Sequence, residues 1–284
     1  MTDKENRFGR SDEELSRLPI GLAPNSFADQ VVMISGAGSG IGRACAHWFA
    51  RLGAKLVLCG RDADKLAGIQ LALEPTETVV HPLTIRDPEA VQKLHNAAWE
   101  RFGRVDVVVN SAGGQFPQAA IDFSPNGWRA VIDTNLNGTW FMMQSAARKW
   151  REAGRGGSIV NVVTVVGRGM PGVAHTCAAR AGVVHASKTV AIEWAPMGIR
   201  VNCVAPGIIS TEGMRVYPET VQRELVNTNL MKRFGQVEDI ANAVAYLAGE
   251  TGRFVTGEVL TIDGGNHLWG DQWTIPKPDY FKRT

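Results

Sequence analysis

Residues 31–42 read Val-Val-Met-Ile-Ser-Gly-Ala-Gly-Ser-Gly-Ile-Gly, and the helical pattern 41–52 follows directly. The short apolar run predicts a buried strand, and the turn links it to an amphipathic helix. Gly36, Gly40 and Gly42 permit a tight turn, a close approach of backbone to a ligand, and close packing of helix on strand. The N-terminus of that helix offers N–H groups and a positive dipole to phosphates. The segment therefore predicts a turn of the kind that binds dinucleotides, at the start of an α/β domain.

Strand-like runs recur along the chain and alternate with amphipathic helical patterns. With the first run they lie at 31–35, 55–60, 78–83, 105–110, 158–164, 199–205 and 258–263. Because they are apolar on both faces, they predict a parallel sheet that is covered on both sides. Right-handed crossovers then give a single-domain Rossmann fold: α/β, with a doubly wound seven-stranded parallel sheet and helices on both faces.

The 284 residues divide into an N-terminal extension (1–28), one Rossmann domain (29–265) and a C-terminal tail (266–284). The extension is polar and has little periodicity, so we expect it either to fray or to wrap a neighbour. The tail is aromatic and rich in proline. It is too short for a domain, and we expect it to cap the substrate cleft or a partner subunit.

Composition and charge exclude several classes of protein. The chain is 44% hydrophobic and 20% charged, as ordinary globular domains are. Its formal net charge is only +2, so we do not expect a nucleic-acid partner. A membrane-spanning helix needs about 18 consecutive apolar residues, and no run in the sequence is that long. The first residues also lack the apolar core of a secretory signal. We therefore expect a cytoplasmic protein without a membrane partner. The cysteines and histidines lack ligand spacing, so neither a metal site nor a disulfide is expected.

The dipeptide Arg61-Asp62 follows the second strand-like run, where a dinucleotide site contacts the adenosine ribose. A carboxylate here binds the 2′-OH of NAD, whereas a guanidinium suits the 2′-phosphate of NADP. Arg61 therefore favours NADPH as the cofactor. In the alternative, Arg61 is a solvated turn residue, Asp62 binds the ribose and NADH is used.

Further motifs lie at fixed places after later strands. They are Asn110-Ser111-Ala112-Gly113, Asn135, Pro206-Gly207, Thr211 and Asp263-Gly264-Gly265. Together with the glycine turn, they resemble the short-chain dehydrogenase/reductase (SDR) family over residues 29–265. The resemblance implies that the Asn-x-Ala-Gly stretch lines the adenosine side of the cofactor. It also implies that the Pro-Gly loop and its threonine hold the nicotinamide carboxamide.

The resemblance, together with Arg61, defines a set of cofactor-binding residues. They are Gly36, Ser39, Gly40, Ile41, Arg61, Thr84, Ile85, Asn110, Ala112, Gly113, Arg180, Pro206, Gly207, Ile209 and Thr211. Thr84 stands where the family contacts adenine with an aspartate, so this contact departs from the family pattern.

The catalytic core departs further. The family pattern of Ser followed by Tyr-x-x-x-Lys falls here on Thr164, Thr176 and Arg180. The chain has three tyrosines, none of them at the Tyr position, although Tyr217 follows the Pro-Gly loop and can border the substrate. The candidate catalytic residues are Asn135, Thr164, His175, Thr176 and Arg180. In the family, Asn135 corresponds to a residue that kinks its helix and anchors a water relay.

These substitutions favour one reaction over another. Alcohol–ketone interconversion needs a group that moves a proton at the substrate oxygen, such as a phenol with a lowered pKa. A Thr hydroxyl and an Arg guanidinium do not serve that purpose. Reduction of an activated C=C bond places charge on a distant thioester oxygen and needs an oxyanion site with a modest proton source. Thr164, Arg180 and backbone N–H groups provide the first, and His175, Thr176 or water provides the second.

Segments 110–116, 134–140 and 175–182 resemble the peroxisomal trans-2-enoyl-CoA reductases, and the first also resembles 2,4-dienoyl-CoA reductases. This implies NADPH-dependent reduction of a trans-2-enoyl-CoA by hydride transfer to the β-carbon. One alternative is an alcohol or hydroxyacyl dehydrogenase of the citronellol type, with His175 as its base. Another is a cofactor-binding protein without catalysis. By analogy with the family, the predicted helices 127–150 and 177–195 imply a homodimer or homotetramer; alternatively, they are simply buried against the sheet.

Overall fold

A computed structural model describes residues 8–268. Within this range, seven parallel strands form one sheet in the order β3-β2-β1-β4-β5-β6-β7. The strands are β1 (Val31–Ser35), β2 (Lys55–Gly60), β3 (Thr78–Pro82), β4 (Val107–Asn110), β5 (Gly157–Val162), β6 (Ile199–Pro206) and β7 (Val259–Ile262). The predicted Rossmann fold is confirmed.

Helices cover both faces of the sheet. In the described range they are α1 (Asp12–Arg17), α2 (Gly40–Arg51), α3 (Ala63–Ala72), α4 (Pro88–Phe102), α5 (Pro125–Ile132), α6 (Thr139–Glu152), α7 (Ala174–Trp194), α8 (Glu219–Leu225) and α9 (Val237–Ala248). Residues of α2, α3 and α9 share one apolar cluster with one face of the sheet. Residues of α4, α6 and α7 form the cluster on the other face.

The helix α4 shows how local sequence sets these elements. The Asp87 carboxylate accepts hydrogen bonds from the backbone N–H groups of Glu89 at 2.9 Å and Ala90 at 3.1 Å. Pro88 occupies the first helical position, where its missing N–H costs nothing. Gly103 ends the helix in the left-handed conformation, with φ of 69°. The sequence at both ends of α4 therefore accounts for where this helix begins and ends.

The fourth strand begins later than its sequence pattern predicts. The predicted run starts at residue 105, whereas β4 starts at Val107. The Asp106 carboxylate accepts the backbone N–H of Val31 at 2.9 Å and the Arg104 guanidinium at 2.8 Å. Because the Asp106 side chain accepts the Val31 N–H, regular pairing with β1 starts at Val107, two residues after the predicted start.

The region predicted as one helix, 127–150, is two helices. A π-helical turn, Asp133–Gly138, separates α5 from α6. Such turns leave a backbone carbonyl free of the regular helical ladder and are frequent at functional sites. Periodicity alone does not show this interruption, because the apolar pattern continues on both sides of it.

Residues 8–28 of the N-terminal extension pack against their own domain. Leu15 and Phe27 are each only 1% exposed. The Phe27 ring meets Phe49 of α2 edge to face, with centroids 4.8 Å apart. This segment therefore contributes to the core rather than fraying. Residues 269–284, and with them the expectation for the tail, lie outside the described residues.

Two further observations concern residues 8–268. No helix in this range combines the length and hydropathy needed to cross a bilayer. No group of three or more His, Cys, Asp or Glu side chains stands together in a way that would ligate a metal ion there.

Candidate active site

A cleft of about 940 Å³ opens at the carboxyl ends of the strands. It lies where β1 and β4 adjoin and the connections diverge to opposite sides of the sheet. Ligands of doubly wound sheets bind at such a switch point. Its volume lies at the upper end of the about 300–1,000 Å³ typical of small-molecule sites, which is room for a large ligand.

Most of the residues predicted to form the site line this cleft. They are Gly36, Ser39, Gly40, Ile41, Arg61, Thr84, Ile85, Ala112, Gly113, Asn135, Thr164, Thr176, Arg180, Pro206, Gly207, Ile209 and Thr211. The two other predicted residues, Asn110 and His175, are not part of the lining.

The glycine turn forms the phosphate end of the cleft. Gly36 has a positive φ of 71°, and a Cβ on it would lie 2.8 Å from the Ala112 backbone. A Cβ on Gly42 would lie 2.2 Å from the Gly36 carbonyl oxygen, so α2 packs directly on the turn. The Ser39 side chain makes no capping hydrogen bond to α2. The first N–H groups of that helix therefore remain available, and the turn fits a dinucleotide pyrophosphate.

The adenosine end presents a cation. The Asp62 carboxylate caps α3 by accepting the backbone N–H of Lys65 at 3.1 Å, and this hydrogen bond lowers the pKa of Asp62. Its other oxygen lies 3.6 Å from the Lys65 Nζ. Arg61 is exposed and lines the cleft beside them. Because Asp62 is engaged locally, Arg61 is the better placed of the two to meet a ribose substituent.

Asn135 organises the opposite, reaction end. Its side-chain amide pairs with both backbone groups of Gly114, accepting the N–H at 2.9 Å and donating to the carbonyl at 3.0 Å. Its own backbone carbonyl, released by the π-helical turn, accepts Arg180 Nη1 at 3.3 Å and Thr139 Oγ1 at 3.0 Å. One residue thus connects the loop after β4 to helix α7.

Arg180 is a buried cation at this end. It is 7% exposed, and its Nη2 donates to the Ala112 carbonyl at 3.3 Å. A Cβ on Gly113 would lie 2.2 Å from that nitrogen, so the guanidinium needs a glycine beside it. Burial lowers the pKa of Arg180 to about 10, which leaves it charged at neutral pH. No carboxylate within residues 8–268 forms an ion pair with it.

Thr176 occupies the position at which the family has tyrosine. It is 4% exposed, and its Oγ1 lies 3.2 Å from His175 Nδ1. Its backbone N–H donates to the same nitrogen at 2.7 Å. Thr164, at the serine position, is half-buried in the cleft wall. Both hydroxyls are retained at the cleft, without a phenol between them.

His175 faces away from the cleft lining. Its ring stacks on Phe123, with centroids 4.5 Å apart, and meets Phe116 edge to face at 4.6 Å. Burial lowers the pKa of His175, so the ring is neutral at neutral pH. Asn110 also turns from the cleft, and its Nδ2 donates to Asn161 Oδ1 at 2.8 Å within the sheet.

The loop after β6 brings in residues that the motifs did not indicate. Glu212 lines the cleft, and its Oε1 accepts Arg43 Nη2 at 2.8 Å. The N-terminal extension braces this loop, because the Gly9 N–H donates to Ser210 Oγ at 3.3 Å. Tyr217, which the sequence singles out after the Pro-Gly loop, lines the cleft as well. The partners in these contacts lie far apart in sequence, Arg43 and Glu212 by 169 positions, so no local pattern signals them.

Comparison with known proteins identifies the family. The family model described as enoyl-(acyl carrier protein) reductase matches residues 36–267. A probable 2,4-dienoyl-CoA reductase of Bacillus subtilis is 34% identical over 256 residues, covering 88% of this chain and 98% of that protein. The chain belongs to the short-chain dehydrogenase/reductase family. The predicted resemblance to this family and to its dienoyl-CoA reductases is confirmed.

Other SDR relatives carry out different reactions. A 3-oxoacyl-[acyl-carrier-protein] reductase of Thermotoga maritima is 35% identical over 239 residues, covering 83% of this chain and 97% of that protein. The structure of a citronellol catabolism dehydrogenase of Pseudomonas aeruginosa is 34% identical with a TM-score of 0.79, covering 88% of this chain and all of that one. The chain is therefore an SDR oxidoreductase, and SDR relatives use nicotinamide dinucleotides.

Proposed function

We propose that this enzyme reduces the C=C bond of a trans-2-enoyl-CoA, with NADPH as the reductant. The observation that carries the proposal is the pair of side chains at the catalytic positions, Thr176 and Arg180. An aliphatic hydroxyl does not titrate near neutral pH, and Arg180, with a pKa of about 10, keeps its proton. Alcohol–ketone chemistry would therefore lack its proton-transfer group at this end of the cleft.

Reduction of a conjugated C=C bond requires fewer catalytic groups from the protein than alcohol–ketone interconversion does. When bound, NADPH supplies a hydride to the β-carbon of the substrate. The electron pair of the double bond moves through the α-carbon to the thioester oxygen, and the α-carbon then takes a proton from water. The chain must stabilise the charge on that oxygen. Arg180 provides a buried cation and Thr164 a hydroxyl in the same cleft.

The choice of NADPH rests on the adenosine end. Arg61 and Lys65 bring two cations to the end of β2, and the Asp62 carboxylate is engaged in capping α3. A 2′-phosphate would gain charge-assisted hydrogen bonds there, whereas a 2′-OH would meet no free carboxylate from Asp62.

The relatives that act on acyl-CoA esters support the substrate class. The Bacillus subtilis protein described above is named for 2,4-dienoyl-CoA, a conjugated thioester. The citronellol dehydrogenase favours the second candidate, oxidation of an alcohol. That reaction needs a base, and the two candidates in this region are poorly suited. His175 lies outside the cleft lining, and burial raises the pKa of Tyr217.

The test uses the purified full-length chain. We expect oxidation of NADPH with crotonyl-CoA or decenoyl-CoA, a weaker rate with NADH, and little reduction of NADP⁺ with citronellol. Alcohol oxidation without enoyl-CoA reduction would establish the second candidate instead. Binding of NADPH, seen by its fluorescence, without turnover of either substrate would indicate a cofactor-binding protein that lacks catalysis.

We also propose a homodimer or homotetramer in the cytoplasm. Ile192 on α7 is 79% exposed and Trp128 on α5 is 39% exposed, so these helices present apolar surface. Cys45, Cys59 and Cys203 are buried free thiols, as suits a reducing compartment. Sedimentation analysis of the full chain, with Ile192→Glu as a variant expected to weaken association, tests the assembly.

A further inference from the structure

A phenol lies in the cleft although Thr176 takes the usual tyrosine position. Tyr217 follows the helical turn Glu212–Val216 after β6 and lines the same cleft as Arg180. Tyr246, the other tyrosine within residues 8–268, lies on α9 and is 39% exposed. Tyr217 is therefore the tyrosine of the described chain that can meet a substrate.

The hydrogen bond that the Tyr217 oxygen accepts leaves the phenol O–H free to donate. Gln115 Nε2 donates to Tyr217 Oη. An amide nitrogen donates only, so the phenol oxygen is the acceptor and its O–H points elsewhere. Among residues 8–268, no acceptor takes that proton. Burial also raises the pKa of Tyr217, so the phenol remains a neutral donor.

Further side chains fix the backbone at Tyr217 and next to Gln115. The Gln222 side chain is 8% exposed, and its Nε2 donates to the Tyr217 carbonyl at 2.8 Å. On the other lip of the cleft, Asn135 holds both backbone groups of Gly114, the residue before Gln115. The loops after β4 and β6 thus meet in a fixed bridge between Gln115 and Tyr217. A preorganised donor of this kind stabilises a developing charge without reorganisation.

We propose that the Tyr217 O–H donates a hydrogen bond to the thioester carbonyl oxygen of the enoyl-CoA, and that Gln115 is its positioning residue. This inference rests on the function proposed above. No proton leaves Tyr217: the electron pair displaced by the hydride is shared between the α-carbon and the oxygen until water protonates the carbon. The role differs from that of the family's acid–base tyrosine, because a neutral amide contacts this phenol in place of a cation.

The first experiment is Tyr217→Phe in the full-length enzyme, which removes the O–H and keeps the ring. We expect kcat with crotonyl-CoA to fall by roughly 10²-fold, as with loss of one oxyanion donor. KM and NADPH affinity, measured by fluorescence titration, should change by less than about threefold. Tyr246→Phe removes a hydroxyl outside the cleft and should leave kcat unchanged.

The second variant is Gln115→Glu, which keeps the phenol and reverses the hydrogen bond. A carboxylate accepts the Tyr217 proton, so the donor is lost to the substrate. We expect a fall in kcat similar to that of Tyr217→Phe. We also expect Gln115→Asn, which retains a donating amide on a shorter side chain, to keep more activity than Gln115→Glu.

The outcomes separate the two proposals. Full kcat in both Tyr217→Phe and Gln115→Glu, with an active wild type, overturns the inference and leaves the proposed function intact. Loss of an ionisation from the kcat–pH profile of Tyr217→Phe overturns it as well, because the phenol would then transfer protons. A wild type that does not reduce enoyl-CoA overturns both.

Discussion

The two ends of the cleft differ in the groups that shape them: backbone at the phosphate end and side chains at the reaction end. At the phosphate end, glycines bring α2 against the turn after β1, and this backbone geometry fits a dinucleotide pyrophosphate. At the reaction end, the side chains of Thr164, Thr176 and Arg180 line the cleft in place of the family's pattern. Nicotinamide dinucleotides vary little, so the backbone that holds them has little freedom to vary. Substrates and reactions differ, and the side chains facing them differ accordingly.

We therefore expect cofactor binding and reaction type to be separable in this molecule. Variants at one end are expected to change one property and spare the other.

Arg180→Met removes the buried cation from the reaction end. We expect kcat for enoyl-CoA reduction to fall by roughly 10³-fold, with a smaller loss of NADPH affinity. The charge has no carboxylate partner in the described chain, but its guanidinium donates to the Asn135 and Ala112 carbonyls, each at 3.3 Å. Because the loss of these two long hydrogen bonds offsets the removal of an unpaired buried charge, we expect the melting temperature to change little. Steady-state kinetics and thermal unfolding measure the two effects.

Arg200 supplies the matched control. Its guanidinium donates to the Leu247 carbonyl at 2.6 Å and the Ala248 carbonyl at 2.9 Å, at the end of α9. Arg200→Met should therefore lower the melting temperature and spare kcat. Undiminished turnover in Arg180→Met would show that the reaction end does not depend on this cation.

Gly42→Ala tests the phosphate end. Its Cβ would lie 2.2 Å from the Gly36 carbonyl oxygen, which is backbone and cannot turn aside. Overpacking of this kind costs about 1–3 kcal/mol. We expect NADPH affinity to fall by roughly 10- to 100-fold as the turn shifts. At Gly68 in α3 nothing lies within 4 Å of an added Cβ, so Gly68→Ala should be neutral or stabilising. Equal NADPH affinity in both variants would contradict the role of the turn.

Arg61→Ala separates the two cofactors. Removing a cation that bonds the 2′-phosphate should raise the KM for NADPH by about tenfold. The KM for NADH should change by less than about twofold. An unchanged KM for NADPH would mean that Arg61 is a solvated turn residue.

Asp12→Asn tests the contact of the N-terminal extension with α2. The Asp12 carboxylate bonds His47 Nε2 at 2.8 Å and lies 3.7 Å from the Arg43 guanidinium. The hydrogen bond to His47, aided by Arg43, lowers the pKa of Asp12. A carboxyl group whose pKa is lowered by folding stabilises the folded state at every pH above its ordinary, unfolded-state pKa. This contribution is lost as the pH falls through the lowered pKa of the folded state.

Because Asp12 is partly exposed, we expect Asp12→Asn to cost less than about 1 kcal/mol at neutral pH. The difference from wild type should vanish in acid, below the lowered pKa, as measured by urea unfolding at several pH values. A constant difference across the whole range would mean that the charge of Asp12 contributes nothing.

Much of the fold could be predicted because its signals are local. The apolar runs set the strands, and Asp87 with Pro88 sets the start of α4. Periodicity does not indicate the interruption at Asp133–Gly138, since the apolar pattern continues on both sides, and only the family resemblance implies a kink at Asn135. The burial of Leu15 and Phe27 could not be predicted for another reason. Isolated apolar residues in a polar segment form no periodic pattern.

The site divides in the same way. The glycine motifs, Pro206-Gly207 and Arg180 could be placed in the cleft from sequence, because motif spacing determines which loop carries each residue. The direction of a side chain depends on tertiary partners. His175 is adjacent to Thr176 in sequence, yet two phenylalanine rings hold it outside the lining. The bridge between Gln115 and Tyr217 joins residues 102 positions apart.

The Asn135 carbonyl accepts Arg180 because it lies in the π-helical turn, so this hydrogen bond depends on the number of residues in that turn. An α-helix advances about 100° per residue, so one residue more or fewer rotates everything that follows by that angle. Deleting one residue within Asp133–Gly138 would let α5 and α6 join as one regular helix and return the Asn135 carbonyl to the helical ladder. A single codon lost or gained here could therefore switch this support off or on during evolution, without any substitution in the cleft itself.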